Sequence, residues 1–328
     1  TIKSNTKNNI KAIFWFQGEA NCDDSYRNYD FCFEKLYDAW KKDFPALKKI
    51  YLYQIRPGCD GKYQAELRNI QRNIARKHKD IEIISTTGLE YHDGCHYYLK
   101  GYYQLAEQTF KFVEKDFYNN SINIKTPDVK SIKYLNKELT KIEIEFDQEM
   151  NLLSKEELFV IKDYFYSFPF FQNPVNIIQE NTKIILEYQN SNYSNMLIYL
   201  PNKNYNNSNS VYEGPFLKNY DNIGLLSFIE NIKLLNNDNL IIENDFLVIY
   251  PSISNEYFTI RLNLKNKSSP VVSLYDLNGK IMKEYKYFDL DIGVYEFQIS
   301  IKEFSSGTYY VLAKNDKIKM IKKILLIK

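Results

Sequence analysis

Three polar loops carry the residues most able to do chemistry. The first reads Gln17-Gly18-Glu19-Ala20-Asn21, the second Arg56-Pro57-Gly58, and the third ends in His92-Asp93-Gly94-Cys95-His96. Asp93 and His96 stand three residues apart around a glycine. A carboxylate that close can hold an imidazole in one tautomer and stabilise its protonated form, which is the base half of a nucleophilic triad. On spacing alone, an incidental acid and histidine on a surface loop is the competing reading. The primary amide of Gln17 is suited to donate to a developing oxyanion, or else to cap backbone groups at a strand end. Glu19 is a cleft acid or, preferably, an anchor that orders its loop. Arg56 and Arg68 either bind substrate or pair with acids. Zinc held by His92 and His96 has weak support: His78 is the only other histidine, on an expected helix, and no Cys-x-x-Cys occurs. No metal or organic cofactor is expected.

Alternating strands and helices must place these loops. The runs AIFWF (12–16), IYLYQI (50–55) and IEIIS (81–85) are short and rich in β-branched or aromatic residues, so each is expected to be a strand. Between them, apolar residues recur at helical spacing: Tyr26, Tyr29, Phe33, Leu36 and Trp40, then Leu67, Ile70 and Ile74. Tyr102, Leu105, Thr109 and Val113 continue the pattern after the third strand. Repeated strand–helix units imply a parallel sheet with right-handed crossovers. Ligands bind beyond the carboxyl ends of such strands, where all three polar loops converge.

Beyond residue 128 the pattern changes to short alternating strands without helical period. KIEIEF (141–146), KIILEY (183–188) and MLIYL (196–200) are examples, separated by Asn-rich loops such as 202–210. After a second break near 236–239, strands are expected at 246–250, 257–262, 271–275, 294–299 and 309–313, with a hairpin at Asn278-Gly279. The expected layout is one α/β domain followed by two all-β sandwich modules.

Composition excludes several classes. The 328 residues are 44% hydrophobic and 26% charged, so wholesale disorder is excluded. Lys and Arg total 43 against 41 Asp and Glu, which gives no electrostatic case for nucleic acid. Mean hydropathy is −0.47, and no run approaches the ~18 apolar residues of a membrane helix. The 29 Tyr and 21 Phe fit β-rich cores foremost, and sugar-lining surfaces second.

FWFQGEAN, YLYQIRPGCDG, LRNIQR and HDGCHYYLKGYYQLAE together resemble the second half of an SGNH-type hydrolase, a flavodoxin-like three-layer α/β domain. Within it they are most similar to the sialate O-acetylesterase and acetylxylan esterase group, over about residues 10–117. The resemblance implies that Gln17 is an oxyanion-hole donor, Glu19 the structural acid beside Gly18, Asp93 the orienting carboxylate and His96 the general base. It implies an acetylated carbohydrate as substrate. The group's Gly-Gln-Ser-Asn block, which carries the nucleophile, occurs nowhere in these residues, and only sixteen residues precede Gln17. The serine is therefore expected on missing sequence, and this chain alone is expected to be inactive. Without the missing strands, 12–16 is expected at an exposed sheet edge, which invites aggregation. A non-catalytic secreted glycan-binding or surface protein with a decayed esterase domain is the alternative.

FLVIYPSISNEYFTIRL, VVSLYDLNGKIMKEY and GVYEFQISIKEFSSGTYYVLA resemble the sorting domain of the type IX secretion system of Bacteroidetes. This implies export to the outside or the cell surface and the secretion machinery as a partner. The middle segment resembles the Ig-like module that follows the catalytic domain in some of these esterases, with packing preferred over sugar binding as its role. The expected domains are 1–120, 126–235 and 240–328. The SGNH strand order makes the second and third strands neighbours, which implies a Cys59–Cys95 disulfide, with Cys22–Cys32 as a weaker second.

Overall fold

The computed structural model describes residues 4–58, 61–118, 123–168, 172–190, 192, 194, 196–201, 212–233, 246–250, 253–254, 257–264, 267–287, 290, 293–314 and 319–327. The chain divides into two compact units, 1–235 and 236–328.

The first unit begins with a single helical turn, α1 (Ser4–Lys7), and then alternates strand and helix as the sequence predicts. In order come β1 (Ala12–Trp15), α2 (Tyr29–Asp43), β2 (Lys49–Gln54), α3 (Gln64–Lys77), β3 (Ile81–Ser85) and α4 (Leu99–Phe117). The strands form a parallel sheet in the order β1-β2-β3. The central strand β2 is buried on both faces from Ile50 to Gln54, which explains its nearly unbroken apolar run. One face packs on α2 and α3 through Phe33, Leu52, Leu67 and Ile74. The other packs on α4 through Tyr51, Tyr53, Leu105 and Phe112.

The rest of this unit is antiparallel β. β4 (Val129–Tyr134), β5 (Lys141–Phe146), β8 (Lys183–Glu187) and β7 (Asn176–Glu180) form one sheet in the order β4-β5-β8-β7. β6 (Phe165–Phe168), β9 (Met196–Tyr199) and β10 (Phe228–Asn231) form a second, in the order β10-β9-β6. The expected absence of helix here fails at α5 (Lys155–Ile161). Its start is marked by a capping box: the Ser154 hydroxyl accepts from the Glu157 N–H, and the Glu157 carboxylate accepts from the Ser154 N–H. The Ser-x-x-Glu spacing signals the helix although its apolar period is too short to register.

The second unit is all β. β11 (Phe246–Tyr250), β13 (Tyr257–Leu264) and β16 (Gly293–Ser300) pair in the order β11-β13-β16. β12 (Ile253–Ser254), β18 (Lys319–Leu326), β17 (Gly307–Lys314), β14 (Val271–Tyr275) and β15 (Ile281–Lys286) form the other sheet, in the order β12-β18-β17-β14-β15. Residues of both sheets, among them Phe258, Ile260, Val272, Val311 and Ile324, share one core. The Asn278-Gly279 turn joins β14 to β15 as expected, with Gly279 at φ 78. Among the described residues no helix is long and apolar enough to cross a membrane.

Candidate active site

The loop after β3 is built on Asp93. Its Oδ1 accepts from the backbone N–H of Cys95 at 2.8 Å and of His96 at 2.7 Å. The Asp93 N–H donates to the His96 carbonyl at 2.9 Å, and Gly94 takes φ 106, so the four residues form a tight turn. These backbone donors, His96 first, hold the Asp93 carboxyl below its usual range. Asp93 Oδ2 faces His96 Nδ1 at 3.8 Å, an ion-pair separation rather than a hydrogen bond. Both side chains are open to solvent, at 45% and 60% exposure. His96 Nε2 lies 3.8 Å from Cys95 Sγ.

The turn is pinned from behind. Arg56, at the end of β2, is 3% exposed and donates to the Gly94 carbonyl at 2.6 Å and the Pro57 carbonyl at 2.7 Å. Its other amino group meets His92 Nε2 at 2.8 Å and the Tyr212 carbonyl at 2.7 Å. Arg56 is thus a clamp joining two sheet loops to the β-rich part of the unit. Burial lowers its pKa. Burial, then the Arg56 charge, also lowers that of His92, so His92 is neutral near pH 7. A guanidinium against Nε2 makes His92 a poor cation ligand, and among the described residues no group of three His, Cys, Asp or Glu side chains is placed to hold a metal. Tyr97 anchors the far side of the turn, donating to the Thr86 carbonyl at 2.7 Å. Gly101 of α4 lies so close that a Cβ would sit 2.7 Å from the Glu90 carbonyl oxygen, which explains the glycine.

The loop after β1 is ordered by its own network. Gln17 Nε2 donates to Asn21 Oδ1 at 2.6 Å, Asn21 Nδ2 to Ser25 Oγ at 3.1 Å, and Ser25 Oγ to Asp23 at 2.6 Å. One amide N–H of Gln17 remains for another acceptor. Gly18 sits at φ 147, and a Cβ there would meet Gln71 Nε2 at 2.9 Å. Glu19 opens a single helical turn, Glu19–Asn21, and is half-buried.

Buried Gln71 was not foreseen as a functional residue. Its Oε1 accepts from the Ile55 N–H at 3.0 Å, and its Nε2 donates to the Gln17 carbonyl at 2.9 Å. It therefore ties the ends of β1 and β2 together. Gln64, Arg68 and Arg72 share its burial on α3, so the apolar period of the helix gave no signal for it.

Arg68 is also fully buried. Nε donates to Ser227 Oγ at 2.7 Å, and a terminal nitrogen donates to the Leu200 carbonyl. It pairs with no acid in these bonds, and burial lowers its pKa to about 10.

Cys95 is disulfide-bonded, and its expected partner, Cys59, lies outside the described residues. The Cys22–Cys32 pairing is wrong, because both are free thiols. Cys22 is buried with Sγ 3.6 Å from the Gly18 carbonyl, and burial raises its pKa to about 11, whereas Cys32 is exposed on α2.

With this geometry in hand, residues 1–114 match the family described as carbohydrate esterase, sialic acid-specific acetylesterase. Residues 248–328 match the secretion system C-terminal sorting domain. The chain thus carries an acetylesterase-type domain and a type IX sorting tail, as both resemblances implied. The likeness to carbohydrate esterases is confined to residues 1–114, and the sorting tail marks the chain as secreted or held at the cell surface. No curated protein matches it. Solved structures with local likeness include surface layer protein SbsC, domains 1-6, at 10% identity, TM-score 0.25, over 82% of this chain and 32% of that one. Trypsin activated alpha-2-macroglobulin from Escherichia coli aligns at 12% identity, TM-score 0.22, over 62% of this chain and 13% of that one. Titin Ig tandem domains align at 6% identity, TM-score 0.22, over 61% of this chain and 95% of that one. The chain thus spans about a third of the first of these and about an eighth of the second. Likenesses this low carry no argument.

Proposed function

We propose that this chain is the histidine-bearing part of a secreted carbohydrate O-acetylesterase. The observation that carries the reading is the Asp93–His96 turn, clamped by Arg56 beyond the carboxyl end of β3, inside a region that matches the acetylesterase family. In the complete enzyme a serine attacks the acetyl carbonyl and passes its proton to His96 Nε2. His96 returns that proton to the leaving sugar oxygen and then activates water to release acetate. Asp93 orients the ring through Nδ1, and the remaining N–H of Gln17 donates to the oxyanion. Gly18 and Glu19 shape that loop. The 3.8 Å separation of Asp93 and His96 is of the loose kind that tightens when substrate arrives.

Among the described residues no serine hydroxyl lies within hydrogen-bond distance of His96. The esterase reading takes the nucleophile from a further segment carrying the Gly-Gln-Ser-Asn block and seats it at the edge of β1. Support comes from Phe14, 52% exposed on that strand, and from a ≈330 Å³ pocket beside it lined by Trp15, Gln17 and Tyr29. The absent serine also favours the second reading, a secreted glycan-binding protein with a decayed esterase domain. The three-module organisation, 1–120, 126–235 and 240–328 with the latter two as sandwiches, belongs to the proposal. The test is acetate release from an acetylated glycan, with and without an added serine-bearing segment from the native gene or a relative. The esterase reading expects turnover only with the segment; no turnover in either case supports the decayed form.

A further inference from the structure

The sulfur of Cys95 lies 3.8 Å from His96 Nε2, the nitrogen that takes up the serine proton in the esterase reading. Cys95 is disulfide-bonded, so this sulfur carries no proton. Asp93 Oδ2 faces the other ring nitrogen, Nδ1, at 3.8 Å and favours the tautomer that leaves a lone pair on Nε2. Sulfur and nitrogen then face each other with lone pairs and no proton between them, and Nε2 stays open to a donor. The turn that sets this distance is held by bonds other than the disulfide. Asp93 Oδ1 accepts from the Cys95 N–H at 2.8 Å and the His96 N–H at 2.7 Å, and buried Arg56 donates to the Gly94 carbonyl at 2.6 Å. Cys95 is half-buried and His96 is exposed, so a small dithiol has access to the bond.

We infer that Cys95 is a redox-controlled cap on His96: in its disulfide it leaves Nε2 free, and reduced it covers Nε2 with a thiol. A dithiol breaks the S–S bond by thiol–disulfide exchange. It gives up two electrons and two protons, each cysteine sulfur ends as S–H, and the dithiol closes into its own disulfide. Because Asp93 and Arg56 still hold the turn, the new Cys95 S–H stays beside Nε2 and donates to it. If the proton passes to the ring, the pair becomes imidazolium and thiolate, and Nε2 is occupied all the same. In either form His96 is unable to take the proton of a serine. Thiols persist in reducing compartments and disulfides in oxidising ones. The sorting tail marks the chain for export, so the cap covers the base in the cell and is withdrawn outside it. The inference rests on the esterase reading and adds regulation of that same site.

The test is imidazole-nitrogen NMR on the labelled full chain, with dithiothreitol as the dithiol. Only His78, His92 and His96 contribute, so substitution assigns each signal. On reduction the His96 Nε2 resonance is expected to move upfield, as that of an accepting nitrogen does, while His78, held by Glu34 at 3.0 Å, stays in place. Cys22 and Cys32 are free, which leaves Cys59 as the partner to substitute. Cys59→Ala leaves a permanent thiol at Cys95 and should show the shifted resonance without reductant. Cys95→Ala loses the same cross-link but has no thiol, and should not. If Cys59→Ala fails to fold, the reduced parent chain gives the same reading. With a serine-bearing segment restored, reduction should lower kcat for acetate release about fivefold with KM unchanged, since one weak hydrogen bond must break first. An unmoved resonance on reduction, equal spectra of the two variants, or turnover indifferent to reduction overturns the inference. The resonance needs no serine, so the two readings fail separately. Acetate release with an unmoved resonance removes the cap alone, and a shifted resonance without acetate release from the completed enzyme removes the esterase reading alone.

Discussion

The two edges of the three-stranded sheet are treated in opposite ways. At the β3 edge, Thr126 Oγ1 donates to the Ile83 carbonyl at 2.6 Å, and Ile124 and Ile223 join the core formed by Tyr51, Tyr53 and Ile84. Gly224 approaches so closely that a Cβ would sit 2.0 Å from the Thr87 carbonyl oxygen. Farther along, the buried Arg72 joins α3 to Asp128 at 2.6 Å and Glu230 at 2.8 Å. At the β1 edge, among the described residues, no strand pairs and Phe14, stacked on Tyr51, is 52% exposed. An unprotected apolar edge is a site for strand addition or aggregation, and proteins ordinarily blunt it. The contrast teaches that the sheet is covered at the β3 edge, on the side of the β-rich part, and open among the described residues at the β1 edge.

Breaking the covered side should cost most. Arg72→Ala removes a fully buried side chain and leaves Asp128 and Glu230 to Arg76 alone, at 2.9 and 2.7 Å, and should destabilise the 1–235 unit by about 3 kcal/mol, read from urea unfolding. Gly224→Ala forces a Cβ onto a backbone carbonyl and should cost about 2 kcal/mol by the same measurement. If both variants unfold like the parent, the two parts of the unit are not coupled as described.

A smaller effect follows from His92. Its folded pKa lies below the ordinary 6.5, so its contribution to stability is complete above that value and is lost as pH falls through it. Stability of the first unit should therefore decline on acidification below about pH 6.5, and His92→Gln should flatten that decline. Asp93 acts in the same direction at lower pH, since its depressed pKa means that stability is lost as its carboxylate is protonated. An unchanged pH profile in His92→Gln would remove His92 from the clamp.

The smallest thermodynamic effect belongs to the open edge. Phe14→Lys should cost about 1 kcal/mol, because Phe14 is 52% exposed and loses only its stacking on the Tyr51 ring at 5.0 Å. It should nonetheless slow aggregation of the isolated chain, measured by light scattering. Faster aggregation or a large loss of stability would mean that the edge is covered.

The residues legible from sequence were those whose pattern is local. AIFWF, IYLYQI and IEIIS became β1, β2 and β3 because β-branched and aromatic runs between helical periods leave few alternatives. The turn of Asp93 and His96 was likewise visible, since their spacing and the glycine define it. Partners distant in sequence were not visible. Gln71, Arg68 and Arg72 look like ordinary helix-surface residues until tertiary contacts bury them. Gln54 pairs with the Ser227 backbone 173 residues away, and no short-range signal announces it. The Cys22–Cys32 pairing failed because an even cysteine count fixes neither direction nor depth, and one thiol points inward while the other is exposed.

The most direct test of the central claim is the turnover of the completed enzyme with and without the histidine. With a serine-bearing segment restored, His96→Ala should lower kcat for acetate release from p-nitrophenyl acetate and from an acetylated glycan by roughly 10⁴-fold or more. Robust turnover by residues 1–328 alone that His96→Ala leaves intact would contradict the triad assignment.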